Sequence, residues 1–133
     1  MALDPGRNIG VAWLDSAGRL LHTEVTALDR LRELELPAGA VLVAGDGTGS
    51  AELLTRLGAL GLQAELVDET DSSLEGTELY WQANPPRGFM RVIPTGLRPR
   101  PEGLDAWAAY ALGRRWLLAQ QGHKKARPDD GRA

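Results

Sequence analysis

Ala40-Val41-Leu42-Val43-Ala44 is an unbroken apolar run, and Gly45-Asp46-Gly47-Thr48-Gly49-Ser50 follows it directly. A run with no polar face predicts a strand buried on both sides. Leu53, Leu54, Leu57 and Leu60 then recur at helical spacing up to Gly61, where a helix can end. A doubly covered strand that turns sharply into a helix calls for an α/β architecture, with helices on both faces of a sheet.

The flanking segments extend that frame. Ala2 to Asp4 is a short apolar start broken at Pro5-Gly6, and Ile9 to Leu14 resumes as a small and β-branched run, so the two read as a hairpin. Asp15-Ser16-Ala17-Gly18 is a second turn, followed by an alternating strand over Arg19 to Thr26. A helix is expected across Ala27, Leu28, Leu31 and Leu34, ending before Pro37, and a fifth strand over Ala64 to Val67. Ser72-Ser73 should cap a helix that runs through Trp81, with Glu75 and Glu78 placed early, where they favour the helix dipole. A last helix is predicted from about Leu104 to Gln121. The expected fold is a mixed five-stranded sheet whose first three strands are antiparallel. Residues 1–122 make one domain, and the Lys/Arg/Pro/Asp-rich stretch 123–133 is expected to be a disordered tail.

Composition narrows the chemistry. The chain has no Cys and only two His, His22 and His123, which excludes disulfides, thiolate metal sites and a cysteine nucleophile. Any metal must therefore be held by carboxylates. There is no apolar run long enough to span a membrane and no secretory start, so a soluble cytoplasmic protein without a membrane partner is predicted. The net charge of −3 hides an asymmetry: residues 1–83 hold 5 basic and 14 acidic side chains, whereas residues 84–127 hold 9 basic and 2 acidic. That division suggests an acidic working site and a basic surface able to attract a polyanion.

The acidic residues fall at the right ends of the predicted elements. Asp4 closes the first strand, Asp46 follows the fourth after one glycine, and Asp68-Glu69 closes the fifth, where ligands gather in α/β sheets. Asp105 lies in the first turn of the last helix, on the stripe of Ala108, Ala109, Leu112 and Trp116, and should point inward. Clustered carboxylates persist mainly where a hard cation such as Mg²⁺ or Mn²⁺ binds them. Two such ions can activate water and stabilise the leaving oxygen of a phosphodiester.

In order and spacing these motifs resemble the RuvC-type branch of the ribonuclease-H-like fold. They are most similar to the YqgF family, described as Holliday junction resolvases and pre-16S rRNA processing nucleases. Asp4-Pro5-Gly6 with Gly10-Val11-Ala12 is similar to that family's opening motif, Asp68-Glu69 with Ser72-Ser73 and Glu75 to its motif after strand five, and Leu104-Asp105 with Ala108-Ala109 to its final helix. The resemblance implies a catalytic, metal-binding triad of Asp4, Glu69 and Asp105, with Mn²⁺ or Mg²⁺ as cofactor. Asp46 is either an additional ligand or the cap of the helix that begins near Ser50. Thr70 stands where the family usually has an arginine.

Between Asn84 and Gly103 five prolines and three glycines prevent a regular element, and the segment carries Arg87, Arg91, Arg98 and Arg100. These arginines, with Arg7, Lys124 and Lys125, are the candidate nucleic-acid contacts, binding phosphates without reading sequence. Trp81, Phe89 and Tyr80 are candidates for stacking on unpaired bases. RNA, DNA or both are the expected partners, and a homodimer would suit a symmetric junction. The glycine-rich turn after the fourth strand lacks the lysine and spacing of a Walker loop. An actin-like ATPase would need a second lobe. The remaining alternative is a catalytically silent RNA- or protein-binding module on the same fold.

Overall fold

The computed structural model describes residues 1–126. Five strands form one sheet: β1 (Ala2–Asp4), β2 (Ile9–Leu14), β3 (Leu20–Thr26), β4 (Val43–Gly45) and β5 (Glu65–Val67). Their order is β3-β2-β1-β4-β5, with β1 to β3 antiparallel and β4 and β5 added parallel to β1. The helices are α1 (Ser50–Ala59), α2 (Ser72–Ala83) and α3 (Leu104–Ala126). The expected α/β class, the mixed five-stranded sheet and the antiparallel start are all present. None of the helices is long and apolar enough, among the described residues, to cross a membrane.

Side-chain alternation along the strands sorts the two faces. Leu3, Ile9, Val11 and Ala44 point to one side and bury against Leu53 and Leu57 of α1 and Leu31 of the preceding connection. Ala2 and Ala12 point to the other side and meet Ala109 of α3. Small residues on both partners let α3 lie close to the sheet, and its Ala106, Ala108, Ala109, Ala111 and Leu112 are all buried. Further out, α2 packs against α3. Glu75 faces Arg115, Gly76 faces Ala108, and Tyr80 faces Trp107, so these two helices run antiparallel.

Several boundaries depart from expectation for local reasons. The doubly buried strand begins at Val43 instead of Ala40: Ala2 pairs with Val43, and before it only Met1 reaches the run, its amino group donating to Val41 C=O and its carbonyl accepting from Val43 N–H. Leu28–Glu33 is a 3-10 helix, closed by Arg30 N–H to Ala27 C=O and Leu34 N–H to Leu31 C=O. The segment is too short to propagate an α-helix without a side-chain cap. Asp71, in the left-handed region at φ 60, is the N-cap of α2 in place of the serines. Ser72 N–H donates to Glu69 C=O, so Ser72 is already helical and buried. At the other end α3 continues to Ala126, and residues 123–126 are helical where a tail was expected. The remainder of that expected tail, 127–133, lies outside the described residues.

Two glycines contrast sharply. A Cβ on Gly10 would strike the main chain at Asp105 and Ala106, whereas a Cβ on Gly58 in α1 would meet nothing within 4 Å. Gly10→Ala should therefore lower unfolding stability by about 1–3 kcal/mol. Gly58→Ala should raise it by about 0.5–1 kcal/mol through helix propensity. Urea denaturation of the two variants beside the wild type measures both signs.

Candidate active site

Asp4 ends β1 on the face that α3 covers, opposite Gly10 of β2. Because Gly10 has no side chain, the first turn of α3 rests on the strand there, and this carries Asp105 to the end of β1. Glu69 follows β5 by two residues. A side chain at Gly45 or Gly47 would run into the Glu69 carboxylate. Three glycines thus clear room at the end of the sheet where Asp4, Glu69 and Asp105 lie near one another.

Asp4 feels both neighbours as well as its own burial. Burial first, then the charge of Glu69, then that of Asp105, raises its pKa from 3.8 to about 7. Desolvation and like charges both disfavour the ionised form, so near neutral pH the carboxyl is poised between its two protonation states.

Glu69 is bracketed by the turn after β4. Gly47 N–H donates to Glu69 Oε1 at 2.9 Å, and Glu69 N–H donates to Asp46 Oδ1 at 3.2 Å. Asp46 N–H in turn donates to Val67 C=O at 3.0 Å. Asp46 is therefore no helix cap: Gly49, at φ 91, occupies that position on α1 without a side-chain bond. Its carboxylate sets the backbone of Glu69 instead.

Arg115, which the sequence reading missed, locks the same turn from the other side. Its Nε donates to Glu75 Oε1 at 2.9 Å and its Nη1 to Asp68 C=O at 2.8 Å, tying α3 to α2 and to the residue before Glu69. A charge at helical offset from the predicted apolar stripe was the available signal, but only packing shows what it reaches. Thr70 N–H and Oγ1 both donate to Asp68 Oδ1, at 2.9 and 2.7 Å. These bonds, with the more distant Arg115, hold the exposed Asp68 carboxyl below its usual pKa.

Asp105 is turned less inward than its helical stripe suggested. Its side chain keeps 35% of its surface exposed, and Arg100 Nη2 approaches its Oδ1 to 3.6 Å. Among the described residues no three acidic or histidine side chains close on a common point as a preformed ion site.

The predicted phosphate contacts divide into groups. Arg7, Arg87 and Arg91 are exposed. Arg98 is instead used within its own loop: its Nε donates to Ile93 C=O at 2.9 Å, and its guanidinium lies 5.1 Å from the Trp81 ring centroid. Lys124 and Lys125 belong to the end of α3. Of the stacking candidates, Tyr80 packs edge-on to Trp81 and Trp107, while Phe89 stands in solvent.

The raised Asp4 pKa has a consequence for stability. Between pH 3.8 and about 7 the folded chain keeps a proton that the unfolded chain has released. The stabilisation is thus complete below the lower value and lost as pH rises through the upper one. In a chelating buffer the wild type should lose stability from pH 5 to 8. Asp4→Asn should flatten that dependence and gain about 2 kcal/mol at pH 8, less than the full linkage value because the carboxyl is partly solvated. Denaturation midpoints across that range check it. Arg115→Met should lower stability by about 1–3 kcal/mol by leaving Glu75 and the Asp68 carbonyl without their donor, measurable in the same assay.

No protein family matches the chain, and no curated protein matches it.

Proposed function

We propose that this chain is a divalent-metal-dependent nuclease of the ribonuclease-H-like, RuvC type, hydrolysing phosphodiester bonds of RNA or DNA with water as nucleophile. The observation that carries the reading is that Glu69 and Asp105 lie near enough to Asp4 for their charges to act on it. They come from three distant parts of the chain to the ends of β1 and β5 and the start of α3, with Asp4 raised to about 7 by burial and by the other two. The three offer oxygen donors alone, the ligand type that Mn²⁺ and Mg²⁺ take, although in this structure they do not close on a common point. The three residues would hold the metal, and Asp46 would serve as the group that orients Glu69.

When bound, the ions supply Lewis-acid polarisation of the phosphoryl group and a water acidic enough to attack it. The protein's own part is positional. Gly47 N–H and Asp46 fix Glu69, Arg115 fixes the residue before it, and the start of α3 brings up Asp105. Asp4 would release its proton to solvent when it serves as a ligand. Arg100, beside Asp105, is placed to meet a phosphate, and the exposed Arg7, Arg87 and Arg91 extend the cationic rim. Arg115 also returns a guanidinium to the neighbourhood of Thr70, where the YqgF pattern has an arginine in sequence. A cytoplasmic role in pre-rRNA processing or in repair of branched DNA, with a homodimer for symmetric junctions, agrees with this reading.

A second reading has one observation in its favour. The Glu69 carboxylate is engaged by the Gly47 amide and Asp105 by Arg100, the arrangement that a catalytically silent RNA- or protein-binding module would retain.

The two readings separate on labelled single strands, duplexes and a four-way junction, in RNA and DNA, with Mn²⁺ or Mg²⁺. The nuclease reading expects metal-dependent cleavage that Asp105→Asn abolishes while binding is retained. It also expects Mn²⁺ to raise the Tm of the wild type more at pH 8 than at pH 5, and that of Asp4→Asn hardly at all. Binding without cleavage across the panel, with no Mn²⁺ effect on Tm, selects the silent module.

A further inference from the structure

Phe89, Val92 and Leu97 are 75%, 82% and 76% exposed on the arginine-rich loop. The first two belong to the 3-10 helix Gly88–Val92, in which residues three apart eclipse one another. Phe89 and Val92 therefore form one apolar edge, with Arg91 on the next. Arg87 and Arg91 stand two residues to either side of Phe89, both exposed, and among the described residues neither pairs with a carboxylate.

This turn is held in place. Arg98 bonds Ile93 C=O, just past the turn, and rests on Trp81 of α2. Since α2 and α3 are antiparallel, the end of α2 lies beside the start of α3, and both ends of the loop are gathered there. Arg100 completes the link by reaching Asp105. Tyr80, Trp81 and Trp107 have packed against one another, so Phe89 is the aromatic of this region left without a partner for its ring among the described residues.

Resting on the nuclease reading, we propose that Phe89 is a stacking platform for one unpaired base of single-stranded RNA or DNA, with Arg87 and Arg91 on the flanking phosphates. Arginines alone would attract any polyanion. A ring between them gains energy only from a base whose face is open, and a duplex keeps those faces inside its stack. Phe89, Val92 and Leu97 are three apolar side chains without the long apolar face of a membrane-lying helix, whereas stacking a base needs a single ring. The favoured substrate is thus a strand with at least one unstacked nucleotide, led by Arg100 toward the carboxylates.

Fluorescence anisotropy on the full chain carrying Asp105→Asn, which suppresses cleavage, tests the assignment. The probes are single strands of about twelve nucleotides, matched strands lacking all bases, and the duplex, each at several salt concentrations. The base-bearing strand should bind about 10-fold more tightly than the abasic one, Phe89→Ala should erase that ratio, and Phe89→Trp should restore it. Replacing Arg87 and Arg91 by Ala should weaken both strands alike and flatten the salt dependence. Phe89 is exposed, so an unchanged Tm and circular dichroism spectrum should accompany its substitution.

If Phe89→Ala leaves the ratio intact while both strands still bind, or affects the duplex equally, the stacking assignment fails and the nuclease reading stands. No binding to any probe overturns both. Phe89-dependent binding to phosphatidylserine vesicles without preference among the oligonucleotides reassigns the edge to a lipid surface.

Discussion

The first turn of α3 lies directly on β2 at Gly10, so close that even a methyl group there would meet the main chain at Asp105 and Ala106. The alanines of both elements extend that approach along the helix, where Ala2 and Ala12 of the sheet bury against Ala109. Contacts between small side chains bury modest area each, but they admit backbones that larger residues would hold apart. Everything at the carboxylate cluster depends on this closeness. Without it Asp105 would sit a side chain's width from Asp4, and the mutual repulsion registered at Asp4 would fade with distance.

Repulsion of that kind must be opposed by structure. Leu3 and Val11 are fully buried on the far face against α1, which pins β1 and β2 from behind. On the near face the Asp46 carboxylate accepts from the Glu69 N–H and the Arg115 guanidinium donates to the Asp68 carbonyl, so the main chain of the Glu69 segment is held from both sides. The cluster is therefore imposed by elements whose stability lies elsewhere in the fold. A cost of this sort, concentrated at one end of a sheet, is common at functional sites and uncommon on surfaces without a task.

The proline-rich loop behaves differently from a passive connection. Prolines and glycines prevent it from joining a helix, yet two 3-10 turns and the Arg98 anchor give it a defined course beside α3. Its arginines consequently do unlike things. Arg98 stabilises the loop, Arg100 meets Asp105, and Arg87 and Arg91 face solvent. Grouping the four by charge alone concealed that difference.

Much of the frame was legible from local pattern. The apolar run before Gly45, the breaks at Pro5-Gly6 and Asp15-Gly18, and the leucine spacing of α1 each encode an element through short-range sterics and burial, and their succession implies a mixed sheet. The positions of Asp4, Glu69 and Asp105 at element ends were legible for the same reason. What sequence could not settle is decided by contacts between distant segments. Asp46 reads as a cap until Glu69, 23 residues away, supplies the N–H that it accepts. Ser72 reads as a cap until the Thr70–Asp68 turn brings the chain into the helix one residue early. Arg115 has no readable role until α3 crosses the end of β5, and Gly10, Gly45 and Gly47 look like ordinary flexible positions until their missing side chains are seen to be the room in which the acids meet. Local chemistry determined which segments are strands and helices and where their charges lie. Only the tertiary structure decided which charges face one another, because that depends on how closely two backbones can approach.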